Sequence, residues 1–249
     1  MQDIKEKIIV ALDVDTLKEA ERFVDLLISA GIKYFKVGSQ LFTAYGPDAV
    51  RMVSKAGAKV FLDLKFHDIP NTVALASGST ASILSVTPSA ETGNIAQDIR
   101  NLAIPAVFMM TVHIKGGRKM LEAAVKGAED KARELKIKRP LVVGVTRLTS
   151  DEDKGNIQHE VTEAARLAKS SGLDGVVCSA HEVSMVRNEF GQEFIIVVPG
   201  IRPKGAQADD QSRVATAREA IDAGASYLVI GRPILKAPDP IKAFKELIS

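Results

Sequence analysis

A single cysteine, Cys178, is the only thiol in these 249 residues, so no disulfide forms within the chain and cysteine alone builds no metal site. A reducing, cytoplasmic location is the simple reading. No apolar run approaches the roughly 18 residues of a membrane span. The longest, around Ala103–Met110, contains Pro105, and no membrane is expected as a partner. The opening Met1–Lys7 is too charged, and too soon followed by a strand pattern, to read as a signal peptide. An excess of one charge is also missing. With 33 basic and 31 acidic residues the net charge is +2, which gives no reason to expect nucleic acid but leaves room for a local anion site. There is no G-x-S-x-G, no Walker A loop and no dinucleotide fingerprint. No other histidine stands at metal-ligand spacing to His113, so no metal is expected.

What is present is ample apolar content, 46%, against 26% charged residues, which excludes a disordered chain. Short β-branched runs recur at Ile8–Val14, Tyr34–Val37, Lys59–Lys65, Ala106–His113, Pro140–Leu148, Gly175–Ser179, Phe194–Pro199 and Tyr227–Ile230. Each is nearly continuous in Val, Ile and Leu, as a strand buried on both faces must be. Amphipathic stretches lie between them. Thr16–Ala30, capped by Asp15 or Thr16, puts Leu17, Ala20, Phe23, Val24 and Leu27 on one face. Asp48–Lys55, Lys119–Leu135, Glu160–Ser170, Glu182–Glu189 and Thr216–Ala223 follow the same logic. Gly31, Gly57, Gly172 and Gly224 stand just past helices, where a left-handed residue is needed. Eight strand–helix units predict a single-domain α/β chain over residues 1–249, closed as a (β/α)8 (TIM) barrel. One connection departs from the pattern. Between the third and fourth strands, Leu75–Leu102 is long and rich in Ser, Thr, Ala and Gly, and reads as a helix, a loop and a second helix at Ile95–Leu102.

In such a barrel, function sits where strands end and the βα loops begin. The densest signal there is Asp63-Leu-Lys65-Phe-His-Asp68-Ile-Pro-Asn71-Thr72. Asp63 and Lys65 are two apart on a strand and share a face. Charges at a barrel mouth should be paired, because a lone buried charge is costly. With Lys36, at the end of strand two, they predict an array of two lysines and two aspartates, Asp63 and Asp68. The residue types fit a structural ion-pair network as well as a catalytic one. Pro199-Gly-Ile-Arg202-Pro203 and Ile230-Gly231-Arg232-Pro233 follow strands seven and eight, the recurrent phosphate site of this fold. Solvated arginines on a rim are the plain alternative. His113, before Gly116-Gly117, serves as a base or ligand, or simply as a satisfied buried histidine. Cys178 reads as a small buried thiol rather than a nucleophile.

Together these residues resemble the orotidine 5′-phosphate decarboxylase family. The stretch Asp63–Thr72 carries its central motif intact. Ala11-Leu-Asp13-Val, Phe35-Lys36-Val-Gly, Leu148-Thr149-Ser, Val177-Cys-Ser-Ala180, Pro199–Pro203, Asp209-Asp-Gln211 and Val229–Ile234 follow in the family's order. The resemblance implies that orotidine 5′-monophosphate loses CO2 to give uridine 5′-monophosphate, a step of pyrimidine biosynthesis, with no cofactor. Lys65 would donate the proton, with Lys36, Asp63 and Asp68 completing the charged array around the substrate. Asp68, Ile69 and Thr72 would reach across a homodimer interface into the partner's site. Asp13 and Lys36 would bind ribose hydroxyls, and Thr149 the pyrimidine. Arg202, Gln211, Gly231 and Arg232 would hold the phosphate. The sequence departs from the family in Ala74–Pro105, which carries about twenty extra residues, and in Asp151–Gln158, which is short. Two other readings stand beside this one: a metal-dependent sugar-phosphate decarboxylase or synthase of the same barrel superfamily, and a nucleotide-phosphate binding protein that has lost catalysis.

Overall fold

The computed structural model describes residues 4–85, 104–147, 156–203 and 215–248. Eight parallel strands close into a barrel. In chain order they are β1 (Ile8–Ala11), β2 (Tyr34–Gly38), β3 (Lys59–Phe66), β6 (Val107–His113), β7 (Leu141–Val145), β8 (Gly175–Val177), β9 (Ile195–Val198) and β10 (Tyr227–Ile230). Each pairs with its sequence neighbours, and β1 closes the ring against β10 through Ile8–Leu228, Ile9–Val229 and Val10–Ile230. All eight strands expected from the sequence form. β1, β7, β8 and β9 end before their apolar runs do, because the chain there already turns into the βα loops that make the upper rim.

The interior is filled rather than hollow. Ile9, Phe61, Met109, Val143 and Val197 form one inner cluster of buried side chains. The opposite faces of the strands pack on the surrounding helices. This two-sided burial is why the strands are apolar throughout. Helix α1 (Leu17–Ser29) is capped by Thr16, whose hydroxyl accepts the Glu19 N–H at 3.2 Å. The glycines expected past the helices, Gly31, Gly57, Gly172 and Gly224, all take positive φ, between 82° and 106°. Two further helices carry no strong signal in the sequence: α2 (Ser39–Tyr45), which starts directly on β2, and the last helix described, Pro240–Ile248.

The long third connection starts with a helix, α4 (Pro70–Ala81), five residues before the Leu75 boundary expected from composition. Pro70 at its first turn sets the entry angle. Chain then passes through a two-residue strand, β4 (Leu84–Ser85), paired antiparallel with β5 (Ile104–Pro105). The expected second helix, Ile95–Leu102, lies outside the described residues. The small residues of α4 have a packing reason. A Cβ built on Gly127, in helix α5 (Gly117–Leu135), would lie 2.1 Å from the carbonyl oxygen of Ala74. Only glycine there lets the two helices approach this closely, and that approach fixes the position of the Asp68–Thr72 segment leading into α4.

Candidate active site

At the C-terminal mouth of the barrel, β1, β2 and β3 bring four charged side chains into an alternating row. Lys36 Nζ lies 3.1 Å from Asp13 Oδ1 and 3.6 Å from Asp63 Oδ2. Lys65 Nζ donates to both Asp63 oxygens at 2.9 Å. Asp63 and Lys36 are nearly enclosed, with side chains 13% and 12% exposed, while Lys65 is 37% exposed. Burial pushes the Asp63 carboxyl upward. The charges of Lys36 and Lys65, with hydrogen bonds from Lys65 and the Thr111 hydroxyl, outweigh it and hold the group below its ordinary value of 3.8. Asp63 is therefore ionised between two ammonium groups.

The backbone beneath this row is irregular. Leu62 pairs with Met110, yet Phe66 pairs with Val112, so β3 spends four residue steps where β6 spends two. The surplus is a bulge containing Asp63 and Lys65, and it is absorbed by Lys65 at φ 50°. A left-handed lysine costs about 1–2 kcal/mol. Its N–H, turned out of the ladder, donates to the buried Thr111 Oγ1 at 2.8 Å. The shared face expected for Asp63 and Lys65 thus survives through a bulge, not through a regular strand.

These groups line a cavity of about 220 Å³, together with Arg147, Pro199, Gly200, Arg202, Gly231 and Arg232. Seven of the residues expected from the sequence, Asp13, Lys36, Asp63, Lys65, Arg202, Gly231 and Arg232, meet there. Arg202 is buried, at 7% exposure, and its guanidinium donates to the Ile201 carbonyl at 3.0 Å. A Cβ on Gly231 would sit 3.3 Å from that of Ala11 and 3.5 Å from Asp13 Oδ2, so the eighth strand's end runs close beside the first's. Among the described residues the cavity wall carries five cationic side chains and two carboxylates, an excess of three positive charges.

Asp68 does not join the row within this chain, contrary to the array expected from residue types. β3 ends at Phe66 and the chain turns outward, so the exposed Asp68 carboxylate accepts the N–H of Ile69 at 2.6 Å. Ile69 is 66% exposed and Thr72 is exposed beside it. Neither lines the cavity. Thr149 and Gln211 lie outside the described residues. His113 resolves toward a local role: its Nδ1 accepts the Lys115 N–H at 3.3 Å, and its ring stacks on His67 with centroids 5.5 Å apart. Cys178 is buried, as expected. Among the described residues no three His, Cys, Asp or Glu side chains converge as a metal site would require, and no helix is long and apolar enough to cross a membrane.

Sequence reading missed Arg147 and Thr111. Arg147 stands two residues past the end of β7, lines the cavity and pairs with Glu160 at 2.9 Å. Its position at a strand end was the available signal. Thr111 is the one hydroxyl in an otherwise apolar stretch, Val107–Val112, and that was its signal.

The family model for orotidine 5′-phosphate decarboxylase / HUMPS matches residues 6–247. The chain belongs to this family. It is 45% identical over 252 aligned residues to the orotidine 5′-phosphate decarboxylase of Vibrio campbellii, covering 98% of this chain and 97% of that protein. Identity to the Moorella thermoacetica protein of the same name is 44% over 252 aligned residues, covering 98% and 91%. Among solved structures, orotidine 5′-phosphate decarboxylase from Lactobacillus acidophilus superposes with a TM-score of 0.74 at 31% identity, covering 97% of each chain.

Proposed function

We propose that this enzyme decarboxylates orotidine 5′-monophosphate to uridine 5′-monophosphate and CO2, with Lys65 as the proton donor. One observation carries the assignment: an ammonium clamped by an ionised carboxylate in a cavity whose described residues carry three surplus positive charges. The substrate offers the complement. Its phosphate carries about −1.5 to −2 charges at neutral pH, and its carboxylate one more.

The chemistry demands such a wall. When the C6–carboxylate bond breaks heterolytically, CO2 leaves and the electron pair stays on C6, in an orbital orthogonal to the ring π system. Delocalisation does not help, so fixed charges must stabilise the pair. Lys65 supplies a compact cation there and then gives C6 one of its protons; solvent restores the proton to the neutral amine. Lysine suits both tasks, whereas arginine holds its protons too tightly. Asp63 fixes the Lys65 rotamer through two hydrogen bonds, and Lys36 keeps Asp63 ionised.

Asp13 and Lys36 would bind the ribose hydroxyls, and Arg202, Gly231 and Arg232 the phosphate. Thr149 would contact the pyrimidine and Gln211 the phosphate. Phosphate contacts far from C6 contribute binding energy that excludes water and orients the ring. Asp68, Ile69 and Thr72 complete the site of a second copy in a homodimer. Exposed Ile69 and Leu75, both 66% accessible at the start of α4, support an interface there. The enzyme would work in the cytoplasm.

The test is loss of orotidylate absorbance on mixing with chelator-treated protein. Full turnover is expected. Activity that vanishes with chelator and returns with magnesium would move the assignment to a metal-assisted sugar-phosphate route.

A further inference from the structure

We infer that Thr111 is a positioning residue for the decarboxylation, holding Lys65 at its bulged, left-handed backbone and Asp63 at its ionised carboxylate through one hydroxyl. The inference rests on the role proposed for Lys65.

Two hydrogen bonds meet at this side chain. Its oxygen accepts the Lys65 N–H at 2.8 Å and its own proton goes to Asp63 Oδ1 at 3.0 Å. Thr111 is 1% exposed, so water does not substitute for either bond. It stands on β6 opposite the bulge, between Met110 and Val112, the two residues whose pairing with β3 brackets the surplus residues. A regular ladder would give the Lys65 N–H a carbonyl partner. Here the ladder is broken and the hydroxyl takes that place. The amide stays satisfied only while Lys65 keeps its left-handed turn, so the bond selects the backbone that aims the ammonium at Asp63. The second bond fixes which way the Asp63 carboxylate faces. Its other neighbours are Lys36 from β2 and Lys65 itself.

Valine has the shape of threonine without the hydroxyl, and serine has the hydroxyl without the methyl. The experiment compares Thr111→Val, Thr111→Ser and Lys65→Ala for kcat, KM and the pH profile of kcat. Thr111→Val is expected to lose roughly tenfold to a hundredfold in kcat, the scale of a small misplacement of a reacting group, while KM changes little. Its acid limb is expected to move to higher pH, since Asp63 loses a bond to its ionised form. Thr111→Ser is expected to restore both kcat and the limb. Should Thr111→Val fail to fold, Thr111→Ala must show the same kcat loss at unchanged KM. The inference is overturned if the valine variant turns over like wild type, or if serine is as slow as valine, which would make the methyl packing the important feature. Lys65→Ala separates the two levels. If it retains turnover, the role of Lys65 itself is wrong; if it is inactive while Thr111→Val is normal, only the positioning role fails.

Discussion

Lys65 and Asp63 are two residues apart on a bulged stretch of strand, and the ammonium of one reaches both carboxylate oxygens of the other at 2.9 Å. The strain of one left-handed lysine is the cost of directing a cation into the barrel mouth.

Asp63 makes the first prediction one of pH and stability. Its carboxyl is held below 3.8 in the folded chain, so its contribution to stability is complete above the unfolded value and fades as pH falls through the folded one. Urea midpoints of wild type and Asp63→Asn, measured from neutrality down to strong acid, should differ by a constant amount until pH falls below 3.8 and then converge. A difference that ignores pH would mean the pairing contributes nothing.

Arg232 carries a second. Arg232→Ala should lower kcat/KM for the nucleotide by about thirtyfold or more, the scale of losing one partner of an enclosed charge pair. For orotidine, which lacks the phosphate, wild type and variant should be alike. Equal losses on both substrates would place Arg232 elsewhere in the mechanism.

Gly127 links packing to the site. Adding one methyl drives α5 into the Ala74 carbonyl. Gly127→Ala should cost about 1–3 kcal/mol by overpacking, read as a lower melting temperature. Activity should fall with it, because α4 carries the residues that follow Asp68. An unchanged melt would show that α4 shifts freely.

The proposed sharing of the site between two copies gives a complementation experiment. Lys65→Ala and Asp68→Ala chains, each inactive alone, should regain about a quarter of wild-type activity when co-refolded, because half of the dimers are mixed and each mixed dimer has one intact site. No recovery on mixing would place Asp68 in its own chain's site.

The fold was legible because its signal is repetition. Eight apolar runs and four glycine stops each state the same unit, and an error in one leaves the barrel standing. Six of the seven expected cavity residues, all but Gly231, were legible for a related reason: a charged residue at the end of an apolar strand has nowhere to point but the rim. That Asp68 stays outside its own chain's row was not legible, because two residues beyond the end of β3 the alternation rule has lapsed, and the chain's outward turn toward Pro70 leaves no periodic trace. Thr111 was missed because its importance lies in a bulge, and strand register is a property of two strands that neither shows alone. Helix α4 was read late because its small residues serve close packing against Gly127 and give almost no amphipathic pattern.

Single-turnover decarboxylation of orotidine 5′-monophosphate by Lys65→Ala tests the central claim most directly. The variant should fold, with a melting temperature within about 5 °C of wild type, and bind the nucleotide, while the chemical step slows by at least about 10³-fold. A folded Lys65→Ala protein that releases CO2 at close to the wild-type rate would contradict the account.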